Sequence, residues 1–181
     1  MLNVGIIGAG RIGKVHCESI MRYVKSATVK AIADPFLTDE TKDWAKGLGV
    51  NEFYTDYHKI LEDKDIQAVL ICSSTDTHST ISLEAIAAGK HIFCEKPIDY
   101  DIDKIKKLLA LVEEKGVKFQ VGFNRRFDHN HKAVADAVKD GTIADPHIVI
   151  VSSRTPETPP PATAAFSAAI SEQIKTKTTQ R

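Results

Sequence analysis

Leu2-Asn3-Val4-Gly5-Ile6-Ile7-Gly8-Ala9-Gly10-Arg11-Ile12-Gly13 is the stretch that decides the fold. An apolar run of strand length, Leu2 to Ile7, leads directly into a glycine turn, and the turn opens a segment of helical period from about Gly10 to Met21. A GxGxxG spacing alone is a weak signal, but between a strand and a helix it is the arrangement that cradles a diphosphate. Gly8 permits the tight turn, Gly10 lets a pyrophosphate approach the backbone, and Gly13 allows close helix-to-strand packing. The helix start, with Arg11 and Ile12 in its first turn, offers free N–H groups and a partial positive charge to phosphate oxygens.

Outward from this unit, apolar runs alternate with helical segments. Strands are predicted at Thr28 to Ala33, Ala68 to Cys72, His91 to Cys94 and Lys118 to Val121. Helices are predicted at Asp39 to Leu48, near Asp56 to Leu61, at Thr77 to Ala88 with Gly89 as its C-terminal stop, and at Asp101 to Glu114 with Gly116 beyond. A further helix is read at Asp128 to Asp140 and a strand at His147 to Val151. Strands alternating with helices of this length imply βαβ units. The fold class is therefore α/β, a doubly wound parallel sheet of Rossmann type.

In such a sheet, ligands bind outside the carboxyl ends of the strands. Asp34 ends the second strand, 21 residues after Gly13. A carboxylate there can accept hydrogen bonds from the adenosine ribose hydroxyls and would repel a 2′-phosphate, which favours NAD over NADP. An Asp before Pro35 also serves ordinary turn chemistry. Ser73, Ser74 and Thr75 follow the strand at Ala68 to Cys72 and suit a dinucleotide crossing the sheet edge, or equally a helix N-cap. His78, in the first turn of the next helix, is grouped with these cofactor-side residues, its plainer reading being a solvated histidine. Glu95-Lys96-Pro97 follows the strand ending at Cys94. A lysine held beside a cofactor can hydrogen-bond a reacting hydroxyl and stabilise the developing alkoxide. Pro97 restricts the backbone that aims it, although by composition the segment is a surface turn.

The composition excludes other classes. Lys plus Arg and Asp plus Glu number 24 each among 181 residues, so the net charge is zero. Nucleic acid and anionic membranes both favour a basic excess. No apolar run reaches the roughly 20 residues that span a bilayer. Met1 leads straight into a strand without the basic region of a signal peptide, which points to a cytoplasmic protein. Cys17, Cys72 and Cys94 match no metal-ligand spacing and read as small core residues, so no metal is expected.

Four motifs in order, namely GAGRIG, the acidic end of the second strand, EKP, and Gly122-Phe123-Asn124-Arg125-Arg126-Phe127-Asp128, are similar to the glucose–fructose oxidoreductase/inositol dehydrogenase (Gfo/Idh/MocA) family over residues 1 to about 154. GFNRRFD most resembles the inositol 2-dehydrogenases. The resemblance implies reversible hydride transfer between NAD and a secondary alcohol of a cyclic polyol or sugar. It implies Lys96 as the catalytic lysine, with Glu95 in its setting and Asn124 with Arg125 or Arg126 near substrate or nicotinamide, the two arginines otherwise reading as a solvated loop pair. Family members are homo-oligomers whose second α/β domain closes the substrate site, mediates assembly and supplies an Asp and a His for proton transfer.

The chain departs from that pattern after Arg154. Four of its seven prolines fall in the last 27 residues, among Thr and Ala with no amphipathic period, a composition expected to stay disordered. The resulting division is 1–121 for the NAD-binding domain, 122–154 for a connecting helix and the first strand of an incomplete second domain, and 155–181 for the tail. A chain truncated after its N-terminal domain is expected, with a frameshift near Thr155 as the origin of the tail. Dehydrogenase turnover by the chain alone is then expected to be lost. Two other readings stand beside this one: a non-catalytic NAD-binding module, and a dehydrogenase of a different sugar or diol.

Overall fold

The computed structural model describes residues 1–148 and 150. Six strands form one parallel sheet in the order β3-β2-β1-β4-β5-β6. They are β1 (Leu2–Ile7), β2 (Ala27–Ala33), β3 (Glu52–Tyr54), β4 (Ala68–Ile71), β5 (His91–Cys94) and β6 (Phe119–Val121). Between them run α1 (Arg11–Tyr23), α2 (Asp39–Gly47), α3 (His58–Glu62), α4 (Thr75–Ala87) and α5 (Ile102–Lys115). A 3-10 turn at Asn124–Arg126 and α6 (His129–Lys139) follow β6. The doubly wound sheet expected from the alternation is what forms.

The central strands β1, β2 and β4 are buried on both faces, which is why they read as continuous apolar runs rather than alternating ones. Ile7, Ala33, Val69, Ile71, Ile92 and Cys94 pack with Ile60, Ile81, Ile86 and Leu108 of α3, α4 and α5. Val4, Ile6, Val29, Ile32, Leu70 and Cys72 pack on the opposite face with Cys17 of α1 and Ala45 of α2. Each fully buried Ile or Leu contributes about 1.5–3 kcal/mol of transfer free energy. These residues therefore set the scale of the domain's stability. Thr38 caps α2 by accepting the Thr41 N–H, and Asp101 caps α5 by accepting the Asp103 N–H. Gly116 ends α5 with φ +64°, a left-handed conformation that a side chain would oppose.

The described residues divide into two units, the first residues 1–131 and the second beginning at Lys132. The first holds the whole sheet. In the second, α6 carries a Lys132–Asp136 ion pair and ends near Gly141, where Asp140 accepts the Thr142 N–H. The predicted strand at His147 to Val151 lies partly outside the described residues, and His147, Ile148 and Ile150 carry no strand pairing. The tail expected at 155–181 lies outside the described residues altogether.

Two elements differ from expectation. β3 was not read from Glu52-Phe53-Tyr54, because three half-buried residues show no alternation; the strand exists through its pairing with Ala31–Ala33. α4 begins at Thr75 rather than Thr77, with Ser74 at its N-cap making no side-chain cap bond.

Candidate functional site

The residue just beyond each of five strands donates its N–H to the last residue of the neighbouring strand, which lines the candidate residues along one edge. Asp34 donates to Tyr54, Gly8 to Ala33, Cys72 to Ile7, Glu95 to Ile71 and Gly122 to Cys94, at 2.7–3.0 Å. Across the sheet the order is Asp34, Gly8, Cys72, Glu95, Gly122. At a strand spacing near 4.8 Å this row spans about 19 Å. Strand order reverses between β1 and β4, so Gly8 and Cys72 flank the crevice where such sheets take ligands.

The glycine turn is shaped by backbone contact. Gly8 has φ +102°, and a Cβ on it would lie 2.5 Å from the Cys72 carbonyl carbon. A Cβ on Gly13 would lie 2.0 Å from the Gly8 carbonyl oxygen. Gly10 is different: a Cβ there meets nothing within 4 Å, and φ −68° suits any residue. Gly8 and Gly13 thus let β1, α1 and the turn after β4 touch, while Gly10 leaves open space in front of the turn. Gly10 is also the N-cap of α1 and has no side chain to satisfy the first amides, those of Arg11, Ile12 and Gly13. Open space before unfilled amides at a helix start fits a diphosphate.

Asp34 does the turn chemistry and keeps capacity for more. Its Oδ2 accepts the Ala9 N–H at 2.6 Å and its Oδ1 the Phe36 N–H at 2.8 Å. Each carboxylate oxygen retains a further lone pair for hydroxyl donors. A cavity of about 270 Å³ opens beside it, lined by Gly8, Asp34, Phe36, Tyr57, Ser73 and Ser74 among others. Phe36 and Tyr57 went unnoticed in the sequence. A signal was available, since Phe36 is a large aromatic directly after the acidic strand end, where no core position exists for it. Ser73 shares a 2.7 Å hydrogen bond with Thr77 across the first turn of α4, and Thr75 is the first residue of that helix.

His78 is not solvated. It is 2% exposed, with Nδ1 2.7 Å from the Pro97 carbonyl and Nε2 3.1 Å from the Ser73 carbonyl. The loop after β5 folds over the start of α4 and removes this ring from water, so His78 joins two loops.

Lys96 lines a second cavity, about 410 Å³, together with Phe123, Asn124, Arg125 and Arg126. The structure thereby brings the lysine of EKP and the polar part of GFNRRFD to one place. The last residue of that motif acts elsewhere: Asp128 starts α6 by accepting the N–H groups of Asn130 and His131 and the His131 ring. The His131 backbone N–H, first among these donors, holds the Asp128 carboxyl down at about 2. Glu95 accepts a hydrogen bond from His16 Nε2 at 2.8 Å. His16 carries no motif of its own, but its position three residues after Gly13 places it on the sheet-facing side of α1. Cys17, Cys72 and Cys94 are buried free thiols, pushed up to about 11, 12 and 11, chiefly by burial. At those values they remain protonated and inert near neutral pH.

Among the described residues no group of three or more His, Cys, Asp or Glu could hold a metal ion, and no helix is long and apolar enough to cross a membrane. The family model for the oxidoreductase family with an NAD-binding Rossmann fold matches residues 2–123. An uncharacterized oxidoreductase of Bacillus subtilis, YrbE, is 44% identical over 155 residues, 86% of this chain and 45% of that protein. Myo-inositol 2-dehydrogenase of Thermotoga maritima is 39% identical over 159 residues, 88% of this chain and 47% of that protein. Among solved structures, scyllo-inositol dehydrogenase from Lactobacillus casei with bound NAD(H) and scyllo-inositol superposes with TM-score 0.74 at 36% identity, covering 80% of this chain and 43% of that one. The chain thus spans less than half the length of these relatives. With GAGRIG, Asp34, EKP and GFNRRFD aligned on one sheet edge, and with the family model covering the whole sheet, the chain belongs to the Gfo/Idh/MocA oxidoreductase family and residues 2–123 are its NAD-binding Rossmann domain.

Proposed function

We propose that this chain is the coenzyme-binding part of an NAD-dependent dehydrogenase of the inositol 2-dehydrogenase type, acting on a secondary alcohol of a cyclic polyol or sugar. The observation that carries the reading is the shared cavity of Lys96, Asn124, Arg125 and Arg126, at the opposite end of the site row from Asp34. Along that row Gly8, Gly10 and Gly13 shape the turn, and the unfilled amides of Arg11, Ile12 and Gly13 hold the diphosphate. Asp34 grips the adenosine ribose, and Ser73, Ser74 and Thr75 flank the crossing. Held by these residues, NAD would supply the hydride acceptor. Lys96 donates a hydrogen bond to the reacting hydroxyl oxygen and stabilises negative charge as the proton leaves. Asn124, Arg125 and Arg126 orient the other hydroxyl groups, and Glu95 belongs to the setting of Lys96.

The residues lining the cavity around Lys96 are Phe123, Asn124, Arg125 and Arg126, with no carboxylate or histidine among them. Catalysis then needs the part of the fold that the longer relatives carry. A chimera tests this, joining residues 1–154 to the unmatched remainder of the Thermotoga maritima enzyme. It is expected to reduce NAD with myo- or scyllo-inositol, and Lys96→Ala is expected to lower the rate about 10³-fold, the scale of general acid–base catalysis. The 181-residue chain alone is expected to give no detectable NADH. Turnover by that chain, or a chimera indifferent to Lys96→Ala, would refute the proposal.

A further inference from the structure

Lys96 carries its amine on a flexible four-carbon stem, so its aim depends on how firmly its backbone is held. Two histidines outside the proposed chemistry hold that backbone from either side. We propose that His16 and His78 are positioning residues that clamp Glu95-Lys96-Pro97 between α1 and α4, an inference that rests on the reading of Lys96 given above.

On the α1 side, His16 Nε2 lies 2.8 Å from Glu95 Oε1. An ionised carboxylate only accepts, so Nε2 carries the proton. The other oxygen, Glu95 Oε2, accepts the Lys96 N–H at 3.3 Å. The histidine ring is itself fixed edge-on against Phe93 of β5, centroids 5.1 Å apart. From behind, a Cβ on Gly122 would come within 3.0 Å of Glu95 Oε1, so the carboxylate has little room to retreat. The pair is sheltered, with side-chain exposures of 24% and 13%, where a hydrogen bond to a charged group is worth more than at an open surface.

On the α4 side, His78 Nδ1 meets the Pro97 carbonyl at 2.7 Å. A carbonyl oxygen only accepts, so the contact at Pro97 places a proton on Nδ1. The next residue reinforces the hold: the Ser79 hydroxyl donates to the Asp99 carboxylate, which also accepts the Asp101 N–H at 2.9 Å. The loop carrying Lys96 is thus tied at Glu95, Pro97 and Asp99. The two helices that tie it are those whose starts, at Gly10 and Ser74, border the coenzyme crevice. Lys96 and the crevice therefore share one rigid frame.

Hydrogen exchange on the 181-residue chain, resolved by mass spectrometry into peptides, reads this clamp without coenzyme or turnover. A failure of Lys96 as the reacting lysine is scored separately, in the chimera. His16→Leu and His78→Leu are expected to speed exchange in residues 94–101 about tenfold, while residues 27–33 of β2 stay within about twofold. His16→Gln places a donor near Nε2 and His78→Asn one near Nδ1; both are expected to restore protection to within about threefold of wild type. Should His78→Leu fail to fold, His78→Asn and the His16 pair decide between the outcomes. The proposal is overturned if His16→Leu leaves residues 94–101 protected, if His16→Gln or His78→Asn is as loose as His16→Leu, or if the loosening spreads equally into β2.

Discussion

Gly10→Ala is expected to bind NADH about 100-fold more weakly than the parent chain while melting within about 2 °C of it, whereas Gly13→Ala is expected to lose about 3 kcal/mol of stability. The two glycines stand three residues apart in one motif, yet their surroundings are opposite. A methyl on Gly13 would sit 2.0 Å from the Gly8 carbonyl oxygen, a backbone atom that cannot swing aside. α1 would have to lift from β1, which disturbs Cys17 and Ile6 in the core beneath. A methyl on Gly10 touches no protein atom within 4 Å and adopts its φ of −68° without strain. It enters only the space the diphosphate needs. There it blocks hydrogen bonds from amides to a charged group, worth roughly 1.5–3 kcal/mol each. Thermal melts and coenzyme titrations on both variants check this. A Gly10→Ala chain that binds NADH normally would mean that the diphosphate does not lie against this turn.

Asp34→Asn is expected to shift the NADH-to-NADPH affinity ratio by about 100-fold toward NADPH, combining roughly 1–2 kcal/mol lost at the ribose with relief of charge repulsion. The change is nearly isosteric, so the argument rests on donors and charge. Both oxygens of Asp34 already accept backbone N–H groups, from Ala9 and from Phe36. An amide must present its NH₂ to one of those donors, so the variant either loosens the glycine turn or frees the Pro35-Phe36 bend. The negative charge that opposes a 2′-phosphate disappears as well. An unchanged ratio in paired titrations would confine Asp34 to turn chemistry.

How much of this was legible depends on whether the signal was local. The strand-turn-helix of Leu2 to Gly13 announces itself because each of its requirements sits in adjacent residues. Asp34 and the EKP segment were readable by their place after a strand. β3 was not, since Glu52-Phe53-Tyr54 becomes a strand only through partners some twenty residues away, at Ala31–Ala33. His78 illustrates the limit more sharply. Its neighbours Asp76, Thr77 and Ser79 are polar, so nothing along the chain signals burial; the loop that covers it begins nineteen residues later, at Pro97. His16 failed for a different reason. Its helical position was available, but its partner Glu95 lies 79 residues away and was read only as a neighbour of Lys96. Polar side chains that satisfy one another across loops leave no periodic trace, whereas apolar residues that share a face do.

The central question is whether this chain, through the sheet and glycine turn of its described residues, takes up a nicotinamide coenzyme by itself. Calorimetric titration of the purified, folded 181-residue chain with NADH and with NADPH decides it. The geometry calls for one NADH per chain, with a dissociation constant on the order of micromolar and NADPH at least about tenfold weaker. A folded sample that releases no heat with either coenzyme, or that prefers NADPH, is incompatible with a diphosphate held at Gly10 and a ribose held at Asp34.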